Sequence, residues 1–125
     1  MRLTDLQRTA WDTTGHVTVP GVFSLAECDQ AIADITAWGD EFLAGLSAQE
    51  RAWYVDRGVA GSAVLRKLDN PVFHRPTLRT LAANPRLVEL VEDIIGRGVT
   101  VYFSQIFFKP PGGGGPKPVH QDNYY

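Results

Sequence analysis

The chain has 125 residues, 44% of them hydrophobic, enough to build one globular domain. Twelve Lys and Arg against fourteen Asp and Glu give a net charge of −2, and the densest basic cluster is only Arg66-Lys67, which argues against a nucleic-acid or anionic-membrane partner. The single cysteine, Cys28, cannot form an internal disulfide; the N-terminus has no signal-peptide core and no stretch approaches a membrane span, so a soluble cytoplasmic protein is expected.

Thr4 and Gln7 have capping-box spacing, and Leu3, Leu6, Ala10 and Trp11 fall on one face of a short helix that Gly15 breaks. "HVTVPGVF" alternates as a strand would and ends at Pro20-Gly21. Ser24 and Glu27 form a second capping box. Behind it Leu25, Cys28, Ala31, Ile32, Ile35 and Trp38 recur as an amphipathic stripe, which makes Cys28 a core residue, and Gly39 or Gly45 ends the helix. The segment 46–61 is ambiguous between helix and loop. "SAVLRKLDN" reads as a strand closed by Asn70-Pro71, and Pro76-Thr77 opens a short helical stretch.

Asn84 is a good N-cap with Pro85 at the first helical position, and Leu87, Leu90, Val91, Ile94 and Ile95 follow at helical spacing. Gly96 stands where a left-handed C-terminal residue belongs. "VTVYFSQIFFK" from Val99 is the clearest strand, apolar on both faces. These strands are too few to close a barrel or complete a sandwich, so the chain reads as the first half of a larger domain.

A glycine-proline run, "PPGGGGPKPVHQDNYY", then delivers a histidine and an aspartate. No G-K-[ST] follows the glycines, so they read as a connector or mobile lip rather than a phosphate loop. In an extended segment His120 and Asp122 project from one face, about 6.5–7 Å apart along the backbone, with Tyr124 on the same side. An imidazole nitrogen and a carboxylate oxygen can converge from there on one ion at about 2.0–2.2 Å. With a second histidine they would make the facial triad of non-haem Fe(II) oxygenases; a hydrogen-bonded surface pair is the plainer alternative. His16 and His74 read as surface or helix-entry histidines.

Upstream, "VYFSQIFFKPPGGGGPKPVHQDNYY" resembles the phytanoyl-CoA dioxygenase family, in which an apolar strand runs through a K-P-P-G-type loop into an H-Q-D motif. "GHVTVPGVFSLAECDQAIADI" and "AVLRKLDNPVFHRPTLRTLAANPRLVELVEDIIG" resemble the family's earlier segments, so the likeness spans nearly the whole chain. It implies an α+β fold: N-terminal helices packed on part of a double-stranded β-helix (a cupin-like jelly roll), incomplete here, with residues 1–125 as the N-terminal portion of one dioxygenase domain. It also implies Fe(II) and 2-oxoglutarate as cofactors, with O₂ and a small organic molecule as substrates. By that resemblance His120 and Asp122 match the first two iron ligands and Gln105 a position contacting 2-oxoglutarate. Arg66 or Lys67 matches a basic position near the co-substrate, Arg66 fitting slightly better. The readings of the residues themselves are plainer: Gln105 as an amide satisfied by neighbouring backbone, Arg66 and Lys67 as solvated strand charges.

Family members place a distal histidine and then an arginine beyond the H-Q-D motif, past residue 125 in this numbering. The expected reaction is decarboxylation of 2-oxoglutarate to succinate and CO₂ coupled to hydroxylation of the substrate, with a second chain as one source of the missing half of the site. The alternative is a truncated or split non-catalytic chain acting as a binding or assembly module. A third reading is a structural cupin-like domain holding another divalent ion.

Overall fold

A computed structural model of the chain describes residues 1–111 and 113–120, with Ala60 described by its backbone only. The described residues form a mixed helical and sheet structure in two compact units: Met1–Trp38 with Asn70–Ser104, and Gly39–Asp69 with the described residues from Gln105 on.

The first unit is helical. Helix α1 (Asp5–Thr14) opens on the Thr4–Gln7 capping box and stops at Gly15, whose φ of 75° is left-handed. Helix α2 (Leu25–Gly45) opens on the Ser24–Glu27 box, and its residues up to Trp38 belong here. Short α4 (Pro71–His74) and α5 (Pro76–Ala82) each begin on a proline, and α6 (Pro85–Ile95) is capped by Asn84, whose side chain accepts from the Arg86 N–H at 2.9 Å. Leu90, Ala31 and Val22 are its buried apolar residues. Ion pairs tie the helices: Arg75 donates to Asp34, and Arg86 reaches both Glu27 oxygens at 2.9 and 2.8 Å.

Those pairs decide which side of α2 is covered. Glu27, Ala31, Asp34, Ile35 and Trp38 are turned inward, while Leu25, Cys28 and Ile32 are exposed. Cys28 is therefore a surface thiol, not a core residue: the polar anchors rotate the covered face about one residue away from the apolar stripe. Gly96 also departs from expectation. Its φ of 93° and ψ of 169° lie outside the left-handed helical region, in a conformation open essentially to glycine alone.

The second unit begins with the end of α2, which runs past Gly39 to Gly45. The helix continues through Gly39, which is buried, and a Cβ there would make only ordinary contacts with Leu65 at 3.4 Å and Phe108 at 3.7 Å. Helix α3 (Ala48–Tyr54) carries a third capping box, Ser47–Glu50, and leads into strand β1 (Val55–Arg57), resolving the ambiguous segment. A 3₁₀ turn (Val59–Gly61) returns the chain as β2 (Ala63–Leu65), antiparallel to β1 with Val55 opposite Leu65. Strand β3 (Lys67–Asp69) pairs antiparallel with β4 (Gln105–Phe107), placing Lys67 opposite Phe107 and Asp69 opposite Gln105. Arg66 joins the two ladders: its N–H donates to the Tyr54 carbonyl at 2.7 Å, and its carbonyl accepts from the Phe108 N–H at 3.0 Å. Leu65 and Leu68 form the buried centre.

Two expected strands are shorter or absent. Residues 16–19 keep alternating burial, Val17 and Val19 half-covered between exposed neighbours, but lie in no strand. Of the run from Val99, only Gln105–Phe107 is strand, flanked by single bonds from the Asn70 N–H to the Ser104 carbonyl at 2.7 Å and from the Phe108 N–H to the Arg66 carbonyl; Asn70 then leaves the ladder at φ 55°. Strand propensity without a partner makes no ladder. The two sheets have two strands each, so the jelly roll is not formed by the described residues.

Candidate functional site

The β3–β4 ribbon has two unlike faces. Alternation places Leu68 and Ile106 on one and Lys67, Asp69, Gln105 and Phe107 on the other. Leu68 is 0% exposed, so the first face is the core; the second borders a cavity of about 430 Å³. Lys67, Gln105, Phe107, Arg66, Trp53 and the Gly115-Pro116 bend line that cavity. Its size suits a small-molecule ligand.

Asp69 organises the polar face. One of its oxygens accepts from Gln105 Nε2 at 2.6 Å, Lys67 Nζ lies 3.2 and 3.1 Å from the two oxygens, and the Tyr54 hydroxyl donates at 3.3 Å. Burial pushes the Asp69 carboxyl up, but the bonds from Gln105, Lys67 and Tyr54 outweigh it and hold Asp69 below the ordinary carboxylate range. Burial, and then the charge of Asp69, raise the Tyr54 phenol. The Lys67 ammonium also sits 5.5 Å from the Trp53 ring centre and 5.6 Å from that of Tyr54, a cation–π setting that fixes its head group. Gln105 is thus satisfied by a carboxylate rather than by backbone, and Lys67 is not a solvated strand charge.

Arg66 belongs to a different contact. Its Nε and a terminal nitrogen both stand 2.8 Å from Asp56 Oδ1, while the other Asp56 oxygen accepts the Gly115 N–H at 2.8 Å. That Gly115 bond first, then Arg66, keeps the Asp56 carboxyl below its ordinary range. A Cβ on Gly115 would crowd this approach, meeting the carboxylate oxygens at 3.1 and 3.2 Å, so the Asp56 carboxylate would have to shift by a few tenths of an ångström. The Lys109 ammonium donates to the Gly115 carbonyl, closing the bend. The stretch around Gly115 is therefore a strap pinned to β1.

Beyond the strap, His120 Nδ1 lies 2.8 Å from the Pro118 carbonyl oxygen. A carbonyl only accepts, so Nδ1 is the donor in this contact, the kind of bond to a backbone carbonyl that commonly orients metal-binding histidines. Asp122, the second expected ligand, and Tyr124 lie outside the described residues. Among the described residues no three His, Cys, Asp or Glu side chains gather as a metal group. His16 is exposed, its ring 3.4 Å from the Thr14 carbonyl, and the exposed His74 ring lies 5.8 Å from that of Trp38. Neither Asp56 nor Asp69 was picked out in the sequence. Asp69 sits two residues from Lys67 in a strand, a spacing that does place the two on one face.

A family model described as "Phytanoyl-CoA dioxygenase (PhyH)" matches residues 11–125. The chain belongs to the phytanoyl-CoA dioxygenase family. It is also 24% identical over 108 residues to a protein of Stutzerimonas stutzeri named "Probable alpha-ketoglutarate-dependent hypophosphite dioxygenase". That match takes in 86% of this chain and 37% of the relative, so the chain spans little more than a third of that protein's length. No solved structure matches the chain. Among the described residues no helix is long and apolar enough to cross a membrane.

Proposed function

We propose that this member of the phytanoyl-CoA dioxygenase family provides the first part of the site of an Fe(II)- and 2-oxoglutarate-dependent dioxygenase that hydroxylates a small organic substrate. The observation that carries the reading is the paired presentation of Lys67 and Gln105 on one ribbon face, bordering a small-molecule cavity. A cation and an amide fixed side by side by Asp69 suit a carboxylate of the oxo acid, and the co-substrate in the relative's name supports that choice. Lys67 suits this better than Arg66 because it shares the ribbon face with Gln105, whereas Arg66 and Asp56 fix the strap.

His120 would hold the metal through Nε2, and Asp122 would be the anionic ligand beside it. When bound, Fe(II) and 2-oxoglutarate supply the O₂-dependent oxidising chemistry. The protein's own contribution is to orient the oxo acid and the imidazole. On this reading the β1–β2 and β3–β4 pairs are pieces of a jelly roll.

The test is an anaerobic titration of the chain with Fe(II) and 2-oxoglutarate, following the weak visible charge-transfer band of the chelate. The band should appear and His120→Ala should abolish it. Absence of the band from folded wild-type chain, with no Fe(II) bound, would overturn the reading.

A further inference from the structure

Charge in the cavity does not balance. Arg66 is matched by Asp56 and Lys67 by Asp69, but the wall also carries Lys109 and Lys117. Among the described residues neither of these has a carboxylate partner at ion-pair distance. The Lys109 ammonium donates to a neutral carbonyl, that of Gly115, and Lys117 Nζ lies 4.8 Å from the centre of the Phe107 ring. Each ammonium has three donors, so both retain donors for a ligand. Lys109 does feel the Asp56 charge, but four cations against Asp56 and Asp69 leave a local excess of two positive charges in a chain whose net charge is −2. A generally basic surface would attract any polyanion; a local excess in a concave site selects a small one. Beside the lysines, Trp53 is 62% exposed and Phe107 41% exposed, offering aromatic surface to the body of a ligand.

We propose that Lys109 and Lys117 form a second anion subsite in this cavity, so that the substrate carries a compact oxyanion group, carboxylate or phosphorus oxyanion, held beside the co-substrate. The inference rests on the co-substrate reading for Lys67 and Gln105 and adds the substrate's chemical class.

The experiment is calorimetric titration of the chain, saturated with 2-oxoglutarate at low ionic strength, with inorganic phosphate and separately with propionate. At least one oxyanion should bind, and Lys109→Met/Lys117→Met should weaken it tenfold or more while changing 2-oxoglutarate affinity less than twofold. Binding of phosphate alone would assign a phosphorus oxyanion, and binding of propionate alone a carboxylate. Competition between the oxyanion and 2-oxoglutarate would overturn the proposal, as would binding of neither probe or binding indifferent to the double substitution. Both lysines are exposed, so the variant should keep the wild-type circular dichroism. If 2-oxoglutarate itself fails to bind, the co-substrate reading falls, and the same phosphate titration without it still decides the lysine subsite.

Discussion

Replacing Asp56 with alanine should release the glycine strap. The carboxylate is 13% exposed and takes three bonds at 2.8 Å, two from Arg66 and one from the Gly115 N–H. Loss of the Gly115 bond removes a charge-assisted contact and leaves its donor without an acceptor, about 1.5–3 kcal/mol. The Arg66 pair adds no more than about 1 kcal/mol, because that side chain is 39% exposed and water replaces the partner. The sum is about 1.5–4 kcal/mol, or roughly 5–20 °C in melting temperature for a chain of this length. Asp56→Asn should fall between, since one amide oxygen cannot serve both donors.

The pH dependence follows from the depressed Asp56 carboxyl. Its stabilisation is fully present above the ordinary carboxylate range and is lost as pH falls below about 4, through the lower folded value. Thermal melts of wild type and both variants from pH 3 to 7 measure this, with amide exchange at Gly115 as the local probe. Unchanged Gly115 exchange in Asp56→Ala would refute the strap argument, whatever the melting temperature did.

Gly115→Ala should loosen the same contact from the other side, costing about 1 kcal/mol because a Cβ would meet the Asp56 oxygens at 3.1–3.2 Å; melts and Gly115-region exchange would show it. Gln105→Leu should weaken 2-oxoglutarate binding about tenfold, the worth of one polar contact, and let Asp69 titrate higher by removing the shortest of its bonds; calorimetry and carboxyl NMR check the two. Leu68→Ala should cost about 3 kcal/mol in urea unfolding, since its fully covered side chain is the centre of the second unit.

Short-range features were legible from the residues alone. The Thr4–Gln7 and Ser24–Glu27 boxes and the Asn84-Pro85 start all cap helices as read, because a cap is a bond between groups three residues apart or fewer. The Ser47–Glu50 box carried the same signal and would have placed α3. The resemblance to a family that matches residues 11–125 also singled out the H-x-D motif and Gln105, but there it favoured Arg66 over Lys67. Only tertiary structure decided the rest. Cys28 lies on an apolar stripe yet is exposed, since Asp34 and Glu27 find arginines 41 and 59 residues away and turn the helix towards them. The run from Val99 is strand only over Gln105–Phe107, beside which Asn70 leaves the ladder. Asp69 meets Gln105 across 36 residues and Asp56 meets Gly115 across 59, contacts that periodicity cannot encode because they depend on which strands come to lie together.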